Sequence, residues 1–207
     1  DSRYPNLYIG YIKTSFDISK LTLLMGGSSA YGTMRKAENF KESGVSGQAL
    51  FAKTLVLGGD LTIKYQIDSK KYISLQGEYL FREIRGDQYL KDESDQVSQN
   101  NLVIKQSGMY VQLTTKFASR WRTGVRYDVI IKNDSWQSDV KLKKPEYLPR
   151  YSYMLEFHYT EFSRFRLQYN HVRSMYEEKN NEFQRKIYHE VSLQVNLAIG
   201  AHGAHAF

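Results

Sequence analysis

Apolar and polar residues alternate along most of this chain. The clearest run lies near its C-terminal end, where Val191, Leu193, Val195, Leu197 and Ile199 alternate with Ser192, Gln194, Asn196 and Ala198. Successive side chains of a strand point to opposite faces, so such a segment has one oily wall and one wet wall. The pattern recurs upstream. Leu61, Ile63, Tyr65 and Ile67 face away from Asp60, Thr62, Lys64 and Gln66. Ile73, Leu75, Tyr79 and Phe81 face away from Ser74, Gln76, Glu78 and Arg82. Met109, Val111, Leu113 and Phe117 oppose Tyr110, Gln112, Thr114 and Lys116. Trp121, Val125, Tyr127, Val129 and Ile131 oppose Arg122, Gly124, Arg126, Asp128 and Lys132. Tyr151, Tyr153, Leu155, Phe157 and Tyr159 oppose Ser152, Met154, Glu156 and His158, and Phe165, Leu167 and Tyr169 oppose Arg164, Arg166, Gln168 and Asn170. With two weaker segments at 4–16 and 21–33, the first of undecided facing, about nine strands are expected.

The connections have a rhythm of their own. Tight turns at 17–20, 68–71, 118–120 and 161–163 alternate with long polar stretches at 34–52, 84–104, 133–147 and 174–186, which read as loops. Outer-membrane barrels have this asymmetry, with short periplasmic turns and long external loops. Apolar faces of about nine to eleven residues also suit a tilted membrane strand. The expected fold is all-β: an antiparallel up-and-down transmembrane β-barrel, with residues 1–207 as one barrel domain. Single-chain bacterial barrels have even strand counts. Nine strands therefore lead to the expectation that one or more strands precede Asp1, making this the C-terminal part of a larger barrel. The rival is a soluble sandwich, in which the same aromatic residues would form a core.

Composition narrows the choice. The 207 residues include no cysteine, so disulfides and thiolate metal sites are excluded. No apolar run is long enough for a membrane helix. The polar mean hydropathy does not exclude a barrel, because only alternate residues meet lipid. The 17 tyrosines suit strands and interfacial girdles alike. The net charge of +7 is compatible with acidic lipids or an anion pathway; without a basic helix or Lys/Arg run, nucleic acid is not an expected partner.

Several segments add a family likeness: Ser74-Leu-Gln-Gly-Glu-Tyr79, Gln106-Ser-Gly-Met-Tyr-Val-Gln112, Ser119-Arg-Trp-Arg-Thr-Gly-Val-Arg-Tyr-Asp128, Phe162-Ser-Arg-Phe-Arg-Leu-Gln-Tyr-Asn170, and the tail Leu197-Ala-Ile-Gly-Ala-His-Gly-Ala-His-Ala-Phe207. In these the chain resembles bacterial outer-membrane proteins of the porin and TonB-dependent-receptor type, some of them labelled zinc-regulated. The tail is the most specific part. The resemblance implies an outer-membrane barrel and passive or receptor-linked uptake of small solutes. It also implies that Phe207 is the terminal aromatic read by the barrel-assembly machinery.

The wet wall carries the candidate chemistry. Lys64, Glu78, Arg82, Lys116, Arg122, Arg126, Asp128, Glu156, His158, Arg164 and Arg166 are expected to line a pore. Arg and Lys along a pore favour anions; the same residues can instead pair with carboxylates across strands and only satisfy a polar interior. The reading is a porin-like channel for small hydrophilic solutes with mild anion preference, in contact with outer-membrane lipid. The alternatives are the barrel of a receptor for a metal or metal chelate, and a structural or adhesive barrel. His202 and His205 are the remaining metal candidates, but two ligands fall short of the three or four that zinc takes, so no metal or other cofactor is expected. His189 and Ser192 fall on opposite faces of one strand, which argues against a Ser-His hydrolytic site and against an enzyme.

Overall fold

The structure, a computed structural model, describes residues 6–40, 44–160, 162–179 and 182–198. They form ten strands: β1 (Leu7–Ile18), β2 (Leu21–Glu38), β3 (Gly47–Gln66), β4 (Tyr72–Lys91), β5 (Val97–Ala118), β6 (Trp121–Gln137), β7 (Val140–Leu142), β8 (Leu148–Thr160), β9 (Ser163–Lys179) and β10 (Glu182–Leu197). Every pairing is antiparallel between neighbours, in the order β1-β2-β3-β4-β5-β6-β8-β9-β10, and the three-residue β7 only extends the hairpin beside β6. The fold is therefore the expected all-β, up-and-down sheet, with nine long strands and one short extra. β1 and β10 are its two edges.

Register turns the alternation of single strands into continuous rows. One row runs Phe16, Leu23, Ile63, Leu75, Leu113, then Val125, Tyr153, Tyr169 and Val191, each directly paired with the next. All nine are apolar or aromatic. The row beside it, on the opposite face, runs Asp17, Thr22, Lys64, Ser74, Thr114, then Gly124, Met154, Gln168 and Ser192. A slip of one residue anywhere would swap these faces, so the hydrophobic pattern fixes the register. The apolar face is left open: Leu113 is 43%, Val125 51%, Leu167 51% and Leu193 72% exposed. Soluble monomers rarely leave a contiguous apolar surface of many residues facing water. On β5 it runs from Phe117 to Met109, the length a tilted strand needs to cross a bilayer.

Beyond that band the same face becomes charged. Glu83 pairs with Arg85 and, at 3.6 Å, with Lys105. Asp134 pairs with Lys141 at 2.6 Å and Lys132 at 3.2 Å, and both Lys105 and Lys141 stand over the Trp136 ring. The Lys141 hydrogen bond holds the Asp134 carboxyl below its ordinary value, with burial opposing.

Two expectations need correction, and the facing left undecided for the first strand is now fixed. The stretches 34–52, 84–104, 133–147 and 174–186 are not mostly loop, since β2 to β6, β9 and β10 continue through much of them. Outside the band both faces are polar, so the alternation disappears while backbone pairing persists. Lys132 does not share the face of Arg126: a bulge after Ser107 pairs it with Ser107 on the outward side. The first strand faces by even numbers outward, because Ile18 pairs with Leu21 across the two-residue turn Ser19-Lys20.

The turn between β3 and β4 is held by Asp68, whose Oδ1 accepts from the backbone N–H of Lys70 at 2.8 Å and Lys71 at 2.9 Å. The Lys70 bond, foremost, lowers its pKa. A carboxyl depressed in the folded state stabilises above its unfolded value, about 3.9, and this contribution is lost as pH falls through the lower folded value. The Lys70 and Lys71 amide resonances should therefore titrate together with a midpoint below about 3.9; a midpoint at or above it would mean that the carboxylate makes no such bond.

Candidate functional site

The face opposite the apolar band is concave and polar. Residues of β3, β4, β5, β6, β8 and β9 line a cavity of about 1000 Å³. Its wall carries seven Lys or Arg side chains, namely Lys64, Lys70, Lys116, Arg122, Arg126, Arg150 and Arg166, against two carboxylates, Asp128 and Glu156. The residues expected from sequence held seven Lys or Arg against three carboxylates, so the cavity keeps the positive excess with a partly different set of cations.

Glu156 is the best-shielded group, at 0% exposure. Cross-strand register brings Arg122 to one side of it and Arg166 to the other. Arg166 donates to Oε1 from Nη2 at 2.6 Å and from Nε at 3.0 Å. Around Oε2 stand His158 at 3.3 Å, Arg122 at 3.8 Å and Arg164 at 3.9 Å. One carboxylate thus serves three guanidinium groups.

The second acid is matched one to one. Arg126 donates to Asp128 Oδ1 from Nη2 at 2.6 Å and Nε at 2.8 Å, and its guanidinium lies over the Tyr110 ring at 3.7 Å. Tyr72 places its ring beneath both Lys64 at 4.9 Å and Arg122 at 5.6 Å. Near the β1 edge, Lys13 reaches Asp60 at 2.9 Å across Gly26, where any Cβ would collide with Asp60 Oδ2.

Of the eleven wall residues expected from sequence, Lys64, Lys116, Arg122, Arg126, Asp128, Glu156 and Arg166 line the cavity, and His158 and Arg164 flank it through Glu156. Glu78 and Arg82 share the face but stand apart on β4, where Arg82 donates to Gln106 Oε1 and Gln106 in turn donates to Asn133 at 2.8 Å. Lys13, Lys70, Tyr72 and Arg150 were missed. Arg150 has the even number of its neighbours Ser152 and Met154, but it lies at the strand end, just before the alternation becomes visible. His202, His205 and Phe207 lie outside the described residues. Among the described residues, no group of three or more His, Asp or Glu could hold a metal ion. His189 stacks on Tyr169, and His171 lies tilted between Tyr151 and His189, on the apolar face instead.

No protein-family model matches the chain. Over all 207 residues it is 44% identical to an uncharacterized protein of Aquifex aeolicus (strain VF5). The chain spans 42% of that relative's length. Among solved structures it is similar to the CymD monoaromatic hydrocarbon channel, with a TM-score of 0.48 and 11% identity over 82% of this chain and 60% of that one. It is also similar to the NanC porin, with a TM-score of 0.41 and 11% identity over 94% of both chains. At these scores the likeness says nothing of what this chain carries.

Proposed function

We propose that this chain forms wall of an outer-membrane channel through which small hydrophilic solutes diffuse, with a preference for anions. Two features support a membrane wall: an uncovered apolar band of membrane-spanning length, and its construction from antiparallel strands. The observation that carries the reading is the cavity's charge, seven cations to two carboxylates on a concave polar face. Cationic walls raise the local concentration of anions and repel cations.

Removing Arg122 and Arg126 together tests this. A unit charge about 7 Å from the path contributes ~0.6 kcal/mol in water, and physiological salt screens that to somewhat under half. Anions and cations respond in opposite senses, so two such charges account for roughly a fivefold change in permeability ratio. In planar-bilayer recordings of the full-length protein under a salt gradient, Arg122→Gln with Arg126→Gln should move the reversal potential toward cations. An unmoved potential would leave these arginines a structural role only.

A further inference from the structure

Four buried side-chain polar atoms among the described residues have no hydrogen-bond partner: Arg122 Nε, Arg150 Nε, Ser152 Oγ and Arg173 Nε. Three of these four residues line the same cavity. Folded proteins leave few such donors unmet, because a buried polar group without a partner is destabilising. From their clustering we infer that the cavity contains an oxyanion-binding subsite, centred on Arg150 and Ser152, for phosphate or the phosphate group of a small solute. The inference rests on reading the cavity as the solute path.

Register places the subsite. Arg126 pairs with Ser152, and Asp128 pairs with Arg150, so Arg150 and Ser152 occupy successive inward positions of β8, about 7 Å apart along the strand. Arg126 stands beside them on β6. Its Nε and Nη2 are both committed to Asp128, so it contributes charge and leaves Nη1 to donate. Asp128 is neutralised by that contact, and Arg150 has no carboxylate within ion-pair distance among the described residues. A guanidinium fork, a hydroxyl and a second guanidinium thus occupy neighbouring positions of two paired strands along one cavity wall. A carboxylate presents two oxygens in one plane. A phosphate presents oxygens in several directions and up to two charges, which suits donors arriving from different strands. Four positions nearer the turn on β6, Arg122 with its own unmatched Nε, and Lys116 paired across from it, form a second cationic step.

Water can occupy so roomy a cavity, so the test must tell an ion site from solvation. Full-length protein is titrated with inorganic phosphate in detergent, by calorimetry, and chloride currents are recorded in a planar bilayer with phosphate added. Saturable binding and a saturable block of the chloride current are expected. Arg150→Gln and Ser152→Ala should each weaken binding, Arg150→Gln by roughly tenfold, the worth of a charge-assisted hydrogen bond. Arg150→Lys, which keeps the charge without the fork, should fall between, and the exposed Lys36→Gln should match wild type. Because Arg150 Nε and Ser152 Oγ hold nothing in the wall and are costly to bury unpaired, these variants should unfold at a denaturant concentration no lower than that of wild type. Binding in detergent without conductance would sink the channel reading and leave the subsite standing. Conductance without saturable phosphate binding, or with Arg150→Gln binding as wild type, would overturn the subsite and leave the channel. Acetate binding as tightly as phosphate would overturn the tetrahedral specificity.

Discussion

Leu113→Arg should block stable insertion, while Gln112→Arg, one residue away, should leave it intact. Leu113 lies mid-way along the apolar stretch of β5, between Leu75 on β4 and Val125 on β6, and is 43% exposed. If lipid covers that surface, an arginine there is destabilising by about 2–4 kcal/mol at the midplane. Gln112 points into the cavity beside Gln76 and Arg126, where water solvates a new cation and only modest repulsion opposes it. The check is the fraction of full-length protein folded into vesicles, read from electrophoretic mobility without heating. A soluble sandwich would reject Leu113→Arg too, as a buried charge, but it would fold without vesicles or detergent. Equal tolerance of both variants would remove the apolar band as a membrane surface.

The experiment works because side-chain parity is nearly constant from β2 to β10, and this is also why much of the fold could be read in advance. Even residues pair with even ones from β2 to the band portion of β10. Two tight turns keep that parity only through bulges. Ala118 pairs with Trp121, but a register shift restores Lys116 to Arg122. Thr160 pairs with Ser163, and a shift restores His158 to Arg164. The turn at Ser19-Lys20 has no such bulge, so parity flips and β1 faces the other way. Alternation alone could not have decided that, since a bulge leaves no mark in the hydrophobic pattern.

The same limit hid Lys132. Its number matches the wall residues, but the bulge between Ser107 and Gly108 turns the upper part of β6 over, so that Asn133 meets Gln106 while Lys132 joins Asp134 outside. A second shift between Lys186 and Tyr188 does likewise on β10. The cavity's positive excess was legible, since the expected wall already held seven Lys or Arg against three carboxylates. What the sequence left open is which cation each acid answers. Register sets Glu156 between Arg122 and Arg166 and puts Arg150 opposite Asp128; the side-chain geometry then shows Glu156 shared by three arginines and Asp128 taken by Arg126.

Glu156→Gln should make the wall less stable and the cavity more selective for anions at once. The carboxylate is 0% exposed, with Arg166 at 2.6 Å and Arg122, Arg164 and His158 within 3.9 Å. Glutamine keeps the shape and one carbonyl acceptor but removes the charge that lets three guanidinium groups lie together. Breaking a buried ion pair costs about 3–5 kcal/mol. The arginine side chains are 28–29% exposed to the cavity, so solvent softens their repulsion, and a loss of about 2–3 kcal/mol is expected. The denaturant midpoint should fall accordingly, and Arg166→Gln in the same protein should recover part of the loss, because it removes the cation left without its partner. The reversal potential should move the opposite way from that of the arginine variants, toward anions, since one negative charge has left the cavity wall. Stability lost without any change in selectivity would place Glu156 in the wall but out of reach of the solute path. Selectivity gained at unchanged stability would mean that the arginines already hold each other's charge through water, and that the carboxylate acts on the permeating ion alone.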